Sequence, residues 1–333
     1  MTDTYNATGV QAAVEVLDKA ESVTVLCHVQ PDADTIGSGL ALAIALDRRG
    51  VPVQVSFASP AQLPVSMRAL PGTQFLVPAD AVGHEVDLLV TVDCGSAGRL
   101  GGLNDRLAGA KQTLVLDHHR SNTRFGDVNI VDVRAESTAG LVARVLDAWG
   151  VEIDRDIAHC LYAGLVTDTG SFRWVRPGTH ELAERLLATG IDGAAIAREL
   201  LDTHPFGWLP MLSRVLGSAR LLPDVGPGLV YAVVTQADSH GLRSEEVESV
   251  IDIVRTTADA AVAAVFKELA PAKWSVSLRS RGTDDDVVDV SAVATALGGG
   301  GHRFAAGFTA SGDVSDVVAE LVAVLAQSAS SAR

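Results

Sequence analysis

Residues 22–34 read SVTVLCHVQPDAD, and their reading decides the fold. The first seven, SVTVLCH, form a short apolar run that suits a strand buried on both faces. It ends in His28, and the loop behind it carries Asp32 and Asp34. Residues 35–49 then follow a helical pattern, with Leu40 and Ile44 on one face and Gly50 as a stop. Residues 51–58 read as the next strand. Two further apolar runs, DLLVTVD (87–93) and TLVLDH (113–118), end in Asp93 and in Asp117-His118-His119. This rhythm predicts an α/β unit with a mostly parallel sheet and helices on both faces.

In such sheets the ligand site lies beyond the carboxyl ends of the strands. His28, Asp32, Asp34, Asp93, His118 and Asp168 should therefore converge there. Asp168 closes the apolar run 160–167. A single Asp at a strand end is usually a cap or turn former, and a lone His is more often structural. Six such residues on one βα scaffold are hard to explain as independent caps. Crowded carboxylates repel and resist ionisation unless cations neutralise them. Mixed imidazole and carboxylate ligands without thiolate suit two divalent ions, Mn²⁺ first, with Mg²⁺ or Co²⁺ as alternatives. Two ions about 3.5–4 Å apart serve in-line displacement at phosphorus, with a bridging hydroxide as nucleophile. Asp93 lies between the two ligand groups in sequence and is the expected bridge.

The rest of the chain predicts helices at 136–149, with Ser137 or Thr138 as N-cap, and at 154–167. Helical periodicity continues from His180 to about Leu222, punctuated by Pro205 and Pro210. The expected organisation is a catalytic unit over residues 1–190, a helical connector over 191–224 and a smaller α+β unit over 225–333. In the last unit, strands are expected at 229–236, 259–268, 273–280 and 303–310, and helices at 244–257, 290–297 and 314–327. Cys27 and Cys94 read as core residues. Phe172 and Trp174 suit either base stacking or packing. Asp284, Asp285 and Asp286 suggest a solvated turn, and the Ser/Ala-rich end from Gln327 is the one segment with a disorder-like composition.

Composition narrows the function. The chain of 333 residues carries a formal net charge of −15. Binding a long nucleic acid needs clustered Lys and Arg, so long strands are poor partners. Three cysteines without a CxxC pair argue against a disulfide framework and fit a reducing cytosol. No signal peptide or membrane span is evident, so a cytoplasmic location without membrane partners is expected.

The motifs His28-x-x-x-Asp32-x-Asp34, Asp93, Asp117-His118-His119 and Thr167-Asp168-Thr169-Gly170, with Gly298–Gly301 and His302 further on, resemble the DHH–DHHA1 phosphoesterase family. The resemblance spans nearly the whole chain. It implies one ion held by His28, Asp32 and Asp93, and a second by Asp34, Asp93, His118 and Asp168. Asp117 would orient an imidazole, and His119 would touch the scissile phosphoryl group. Arg279, Ser280, Gly299, Gly300, Gly301, His302 and Arg303 would bind substrate, with the catalytic cleft between the domains. A plain flexible turn is the bland reading of the glycines. Two compact domains resemble the nanoRNase and 3′-phosphoadenosine-5′-phosphate (pAp) phosphatase branch. That branch implies short oligoribonucleotides, pAp, and linear or cyclic di-AMP as substrates. A single-strand exonuclease, a family II-like pyrophosphatase and a non-catalytic nucleotide sensor are the competing readings. The apolar connector could serve a homodimer.

Overall fold

A computed structural model describes residues 3–282 and 287–331. The expected turn at 284–286 lies outside the described residues. The chain divides into two compact units, one ending at Thr203 and one starting at His204.

The first unit comprises α1 (Asp3–Lys19), β1 (Val23–Leu26), α2 (Ala33–Arg48), β2 (Val53–Ser56), β3 (Val86–Val92), β4 (Ala110–Asp117) and β5 (Val128–Val131). It continues with α3 (Thr138–Ala148), α4 (Arg155–Asp168), α5 (Thr179–Leu187) and α6 (Gly193–Leu201). The five strands are parallel, in the order β2-β1-β3-β4-β5. The chain steps from β1 outward to β2 and then returns to the other side at β3. The order therefore reverses between β1 and β3, where a doubly wound sheet opens its binding crevice.

The sheet's two faces are covered unequally. Val23, Val25, Val90 and Leu116 pack with the α-helices in one large core. Leu26, Val86 and Leu89 pack on the other side against Leu100 and Leu103, which belong to a 3₁₀-helical segment, Ala97–Gly109. The expected one-sided α2 is instead buried from Ala33 to Leu46, as a helix apolar all round should be. It lies so close to α4 that a Cβ on Gly37 would sit 2.3 Å from the Cys160 carbonyl oxygen.

The second unit comprises α7 (Trp208–Gly217), β6 (Arg220–Leu222), β7 (Leu229–Val234), α8 (Ser244–Glu248), α9 (Val250–Val254), β8 (Val262–Ala270) and β9 (Lys273–Ser280). α10 (Val290–Ala296), β10 (Gly300–Gly301), β11 (Ala305–Ser311) and α11 (Val314–Ser331) follow. Its mixed sheet has the order β10-β11-β9-β8-β7-β6. Period-two alternation splits the strands between two cores. Val262, Ala264 and Phe266 pack with α10 and α11, while Ala263 and Val265 pack with α7 and α9.

Several expectations change. The helical pattern stops at Gly217, and residues 220–222 form an edge strand paired with β7. The helix expected at 244–257 is two short ones meeting at Ser249. α1 and the four-residue β5 were not anticipated. The stretch read as a connector is shared out: Ile196 of α6 joins the first unit's core, and Met211, Leu212 and Val215 of α7 join the second's. Each helix is held by its own apolar face, which composition could not allot to either side. α11 runs on through Gln327 to Ser331. No helix of the described residues is long and apolar enough to cross a membrane.

Candidate metal centre

The ends of β1, β3 and β4 bring His28, Asp93 and His118 to one rim of the first sheet. His28 Nε2 lies 3.4 Å from Asp32 Oδ2 and 3.4 Å from Asp93 Oδ2. His118 Nε2 lies 3.5 Å from Asp93 Oδ1, 3.9 Å from Asp34 Oδ2 and 3.1 Å from Asp168 Oδ2. Ligand atoms of His28, Asp32 and Asp93 all fall within 4.8 Å of one another, and so do those of Asp34, Asp93 and His118. Asp93 is common to both groups, with one carboxylate oxygen turned to each imidazole.

Local structure explains each placement. Asp32 is the N-cap of α2: its Oδ1 accepts from the amides of Asp34 (3.1 Å) and Thr35 (3.0 Å), and its Oδ2 is left to face His28. Capping and ligand geometry thus use different oxygens of one side chain. Asp34 is fully buried and accepts from Thr138 N (2.7 Å) and Ala139 N (2.8 Å), at the positive end of α3. Gly164 of α4 makes room for it, since a Cβ there would meet Asp34 Oδ1 at 2.5 Å. Asp93 follows the last residue of β3 with φ +60°, a left-handed conformation that Asp tolerates better than most residues. Its Oδ1 accepts from the Thr138 hydroxyl (2.8 Å). Thr35 ties the rim together, its hydroxyl donating to Val92 O (2.9 Å). Asp168 is the last residue of α4.

Asp117 and His119 form a second layer. Asp117 Oδ1 lies 2.7 Å from His119 Nδ1, and its Oδ2 accepts from Asn122 Nδ2 at 2.6 Å. Asn122 also donates to Cys94 O. Arg99, from the 3₁₀ segment, brings Nη2 within 3.0 Å of His28 Nδ1. Thr138 was anticipated only as a cap, and Thr35, Asn122, Arg99 and Gly164 were not anticipated at all. Their roles arise from contacts across the fold, and only the glycines around Arg99 gave any local signal.

Charge is unbalanced here. Burial raises the Asp34 carboxyl well above its usual range, and Asp168 and Asp93 add to the effect. Burial likewise pushes Asp168 up to about 6, against the opposing pull of His118. Burial disfavours the His28 cation, but Asp32 and Asp93 outweigh it and hold the ring's pKa at about 10. His118 is raised in the same way by Asp168, Asp93 and Asp34. Asp117 moves the other way, to about 2, because bonds from His119 and Asn122 overcome its burial. The cluster therefore holds protons where cations would serve. The donor set fits such cations. The side chains face one another at 3.1–3.9 Å, and atoms about 2.1 Å from a shared ion lie roughly 3.0–3.5 Å apart.

The remaining expected site residues lie in the second unit. Arg279 and Ser280 end β9, beside the β10–β11 hairpin: Ser280 N donates to Phe304 O (2.9 Å), and Val290 N to Arg303 O (3.0 Å). His302 N donates to Ala305 O at 2.7 Å within that turn. Gly300 and Gly301 pair with Gly307 and Ala306. A Cβ on Gly299 would come 2.1 Å from Gly307 O, so close strand packing is what demands glycine there. Phe172 packs near Tyr162 and His180, while Trp174 is exposed. Cys27 and Cys94 are fully buried.

Residues 22–165 match the DHH family N-terminal domain, and residues 226–331 match the DHHA1 domain. The chain belongs to the DHH phosphoesterase family. One DHH relative, the bifunctional oligoribonuclease and PAP phosphatase NrnA of Thermus thermophilus, is 31% identical over 90% of this chain and 87% of its own. Among solved structures, an exopolyphosphatase-related protein from Bacteroides fragilis superposes with a TM-score of 0.84 at 23% identity, covering 97% of both chains. RecJ of Thermus thermophilus, solved with Mn²⁺, gives 0.54 at 18% identity, over 96% of this chain and 55% of that one. These structural likenesses speak to the DHH fold.

Proposed function

We propose that this DHH protein hydrolyses short nucleotides: oligoribonucleotides of a few residues, pAp to AMP, and cyclic di-AMP or pApA to AMP. The observation that carries the reading is the shared Asp93. It stands between an imidazole–carboxylate group made by His28 and Asp32 and another made by Asp34 and His118, with Asp168 against His118. His28, Asp32 and Asp93 would hold one divalent ion, and Asp34, Asp93, His118 and Asp168 the other. Mn²⁺ or a similar first-row ion suits mixed imidazole and carboxylate ligands without thiolate. Bound there, the ions would supply Lewis acidity and an acidified water for in-line attack at phosphorus.

The chain's own groups complete the site. Asp117 fixes the Nδ1 side of the His119 ring, and Nε2 is the atom assigned to donate to a phosphoryl oxygen as charge builds. Asn122 holds Asp117 from behind. The Thr138 hydroxyl fixes the rotamer of the shared carboxylate. In the second unit, Arg279, Ser280, the glycines Gly299, Gly300 and Gly301, His302 and Arg303 are the proposed substrate-binding group. The net charge of −15 supports small substrates over long strands.

A side-by-side assay of pAp, pApA, cyclic di-AMP and an RNA 20-mer with Mn²⁺ tests this. Turnover should fall steeply with length. A 20-mer cleaved as fast as the dinucleotide would refute the substrate class.

A further inference from the structure

We propose that Arg99 grips the non-bridging oxygens of the phosphoryl group under attack. The proposal rests on the phosphoesterase reading above and adds a residue that the metal motifs do not contain.

Arg99 is pinned at its backbone and unspent at its side chain. Its carbonyl accepts from Val29 N at 2.8 Å, directly after the ligand His28. Gly101, at φ +58°, lies against Val29, where a Cβ would come within 2.5 Å of Val29 Cγ1. The main chain at 99–101 is therefore locked to the β1 end of the site. The side chain is more than a third exposed, and its charge is felt at Asp32 as well as His28.

Its one described side-chain neighbour is His28 Nδ1, at 3.0 Å. That atom also lies 2.9 Å from Val29 O, a carbonyl that can only accept. With Nε2 as the ligand atom facing Asp32 and Asp93, the ring's hydrogen belongs on Nδ1, where it satisfies Val29 O. Nδ1 then has no lone pair for the guanidinium. Arg99 and His28 meet as two donors, and this contact cannot hold the arginine in place. A cation with a planar fork of donors thus sits beside an acidic rim without a carboxylate or carbonyl partner for its side chain among the described residues. That fork matches a phosphoryl group in both charge and shape.

The test compares Arg99→Gln and Arg99→Lys with the wild type. Calorimetry reads Mn²⁺ affinity, then 5′-AMP affinity for the Mn²⁺-loaded protein. Kinetics read kcat/KM on pApA and on bis-p-nitrophenyl phosphate, which lacks a nucleoside. Arg99→Gln should keep Mn²⁺ affinity within about twofold. It should lower AMP affinity and kcat/KM on both esters by about 10- to 100-fold, with partial recovery in Arg99→Lys. Loss of Mn²⁺ affinity with normal kcat/KM at saturating metal would show that Arg99 merely positions His28, and would overturn the proposal. Unchanged AMP affinity would also overturn it. A wild type that cleaves the aryl diester but not pApA defeats the short-nucleotide reading alone, and the ratio on the diester still decides Arg99. A wild type that cleaves neither ends both.

Discussion

Gly164→Ala is the substitution for which two local rules disagree most sharply. Gly164 lies within α4, where replacing glycine by alanine ordinarily stabilises a helix by about 1 kcal/mol. Here the added Cβ would meet Asp34 Oδ1 at 2.5 Å, Ala139 Cβ at 2.8 Å and Asp34 Cα at 3.0 Å. The first neighbour is a carboxyl group held by two backbone amides of α3, so it cannot swing aside without breaking hydrogen bonds of about 0.5–1.5 kcal/mol each. Overpacking of this kind costs about 1–3 kcal/mol. The net expectation is a metal-free protein destabilised by up to about 2 kcal/mol, a fall in Tm of up to roughly 8 °C. Mn²⁺ affinity should fall about 10- to 100-fold, because Asp34 is displaced. Thermal melts with EDTA and calorimetric Mn²⁺ titration read the two effects separately. Gly217→Ala is the control, because a methyl added there would meet nothing within 4 Å. A Gly164→Ala protein that melts higher than wild type and binds Mn²⁺ normally would refute the close packing of α4 on Asp34.

Two further outcomes follow from the same site. Asn122→Ala removes the donor to Asp117 Oδ2 and to Cys94 O. It should cost about 1–2 kcal/mol of stability and lower kcat about 10- to 100-fold with Mn²⁺ affinity retained; unchanged kcat would dissociate Asp117 from catalysis. The metal-free protein should lose stability as pH rises. Folding raises Asp168 from 3.8 to about 6 and His28 from 6.5 to about 10, so the folded state keeps protons that the unfolded chain has released. Those contributions are complete below pH 3.8 and 6.5 respectively and vanish as pH climbs through 6 and 10. Metal must displace the same protons, so the Mn²⁺-induced rise in Tm should grow from about pH 5 to about pH 8; a shift independent of pH would contradict the proton-holding cluster.

Much of the first unit is legible because its strands are short, apolar and parallel. The runs ending at His28, Asp93 and Asp117 appear as β1, β3 and β4, with the polar residues at or just past their ends. Ser137 caps α3 through Gly140 N, as its position before the helix suggests. Elements carrying little local signal were missed. β5 is four residues, and β6 continues the apolar spacing of α7 for three residues more. Their strand character comes from pairing with β4 and β7.

The order of residues along the chain determined which side chains stand at the strand ends, and their types already specified a site for hard, positively charged partners. Only the folded chain decided how their atoms are shared. It gave one oxygen of Asp32 to a cap and the other to His28, split Asp93 between two imidazoles, and set Asp34 on amides more than a hundred residues away. It also placed Arg99, Thr138 and Asn122 against those groups. The physical reason is range: strand and cap preferences act over a few neighbouring residues, whereas the direction of a carboxylate oxygen is set by donors that only packing brings near.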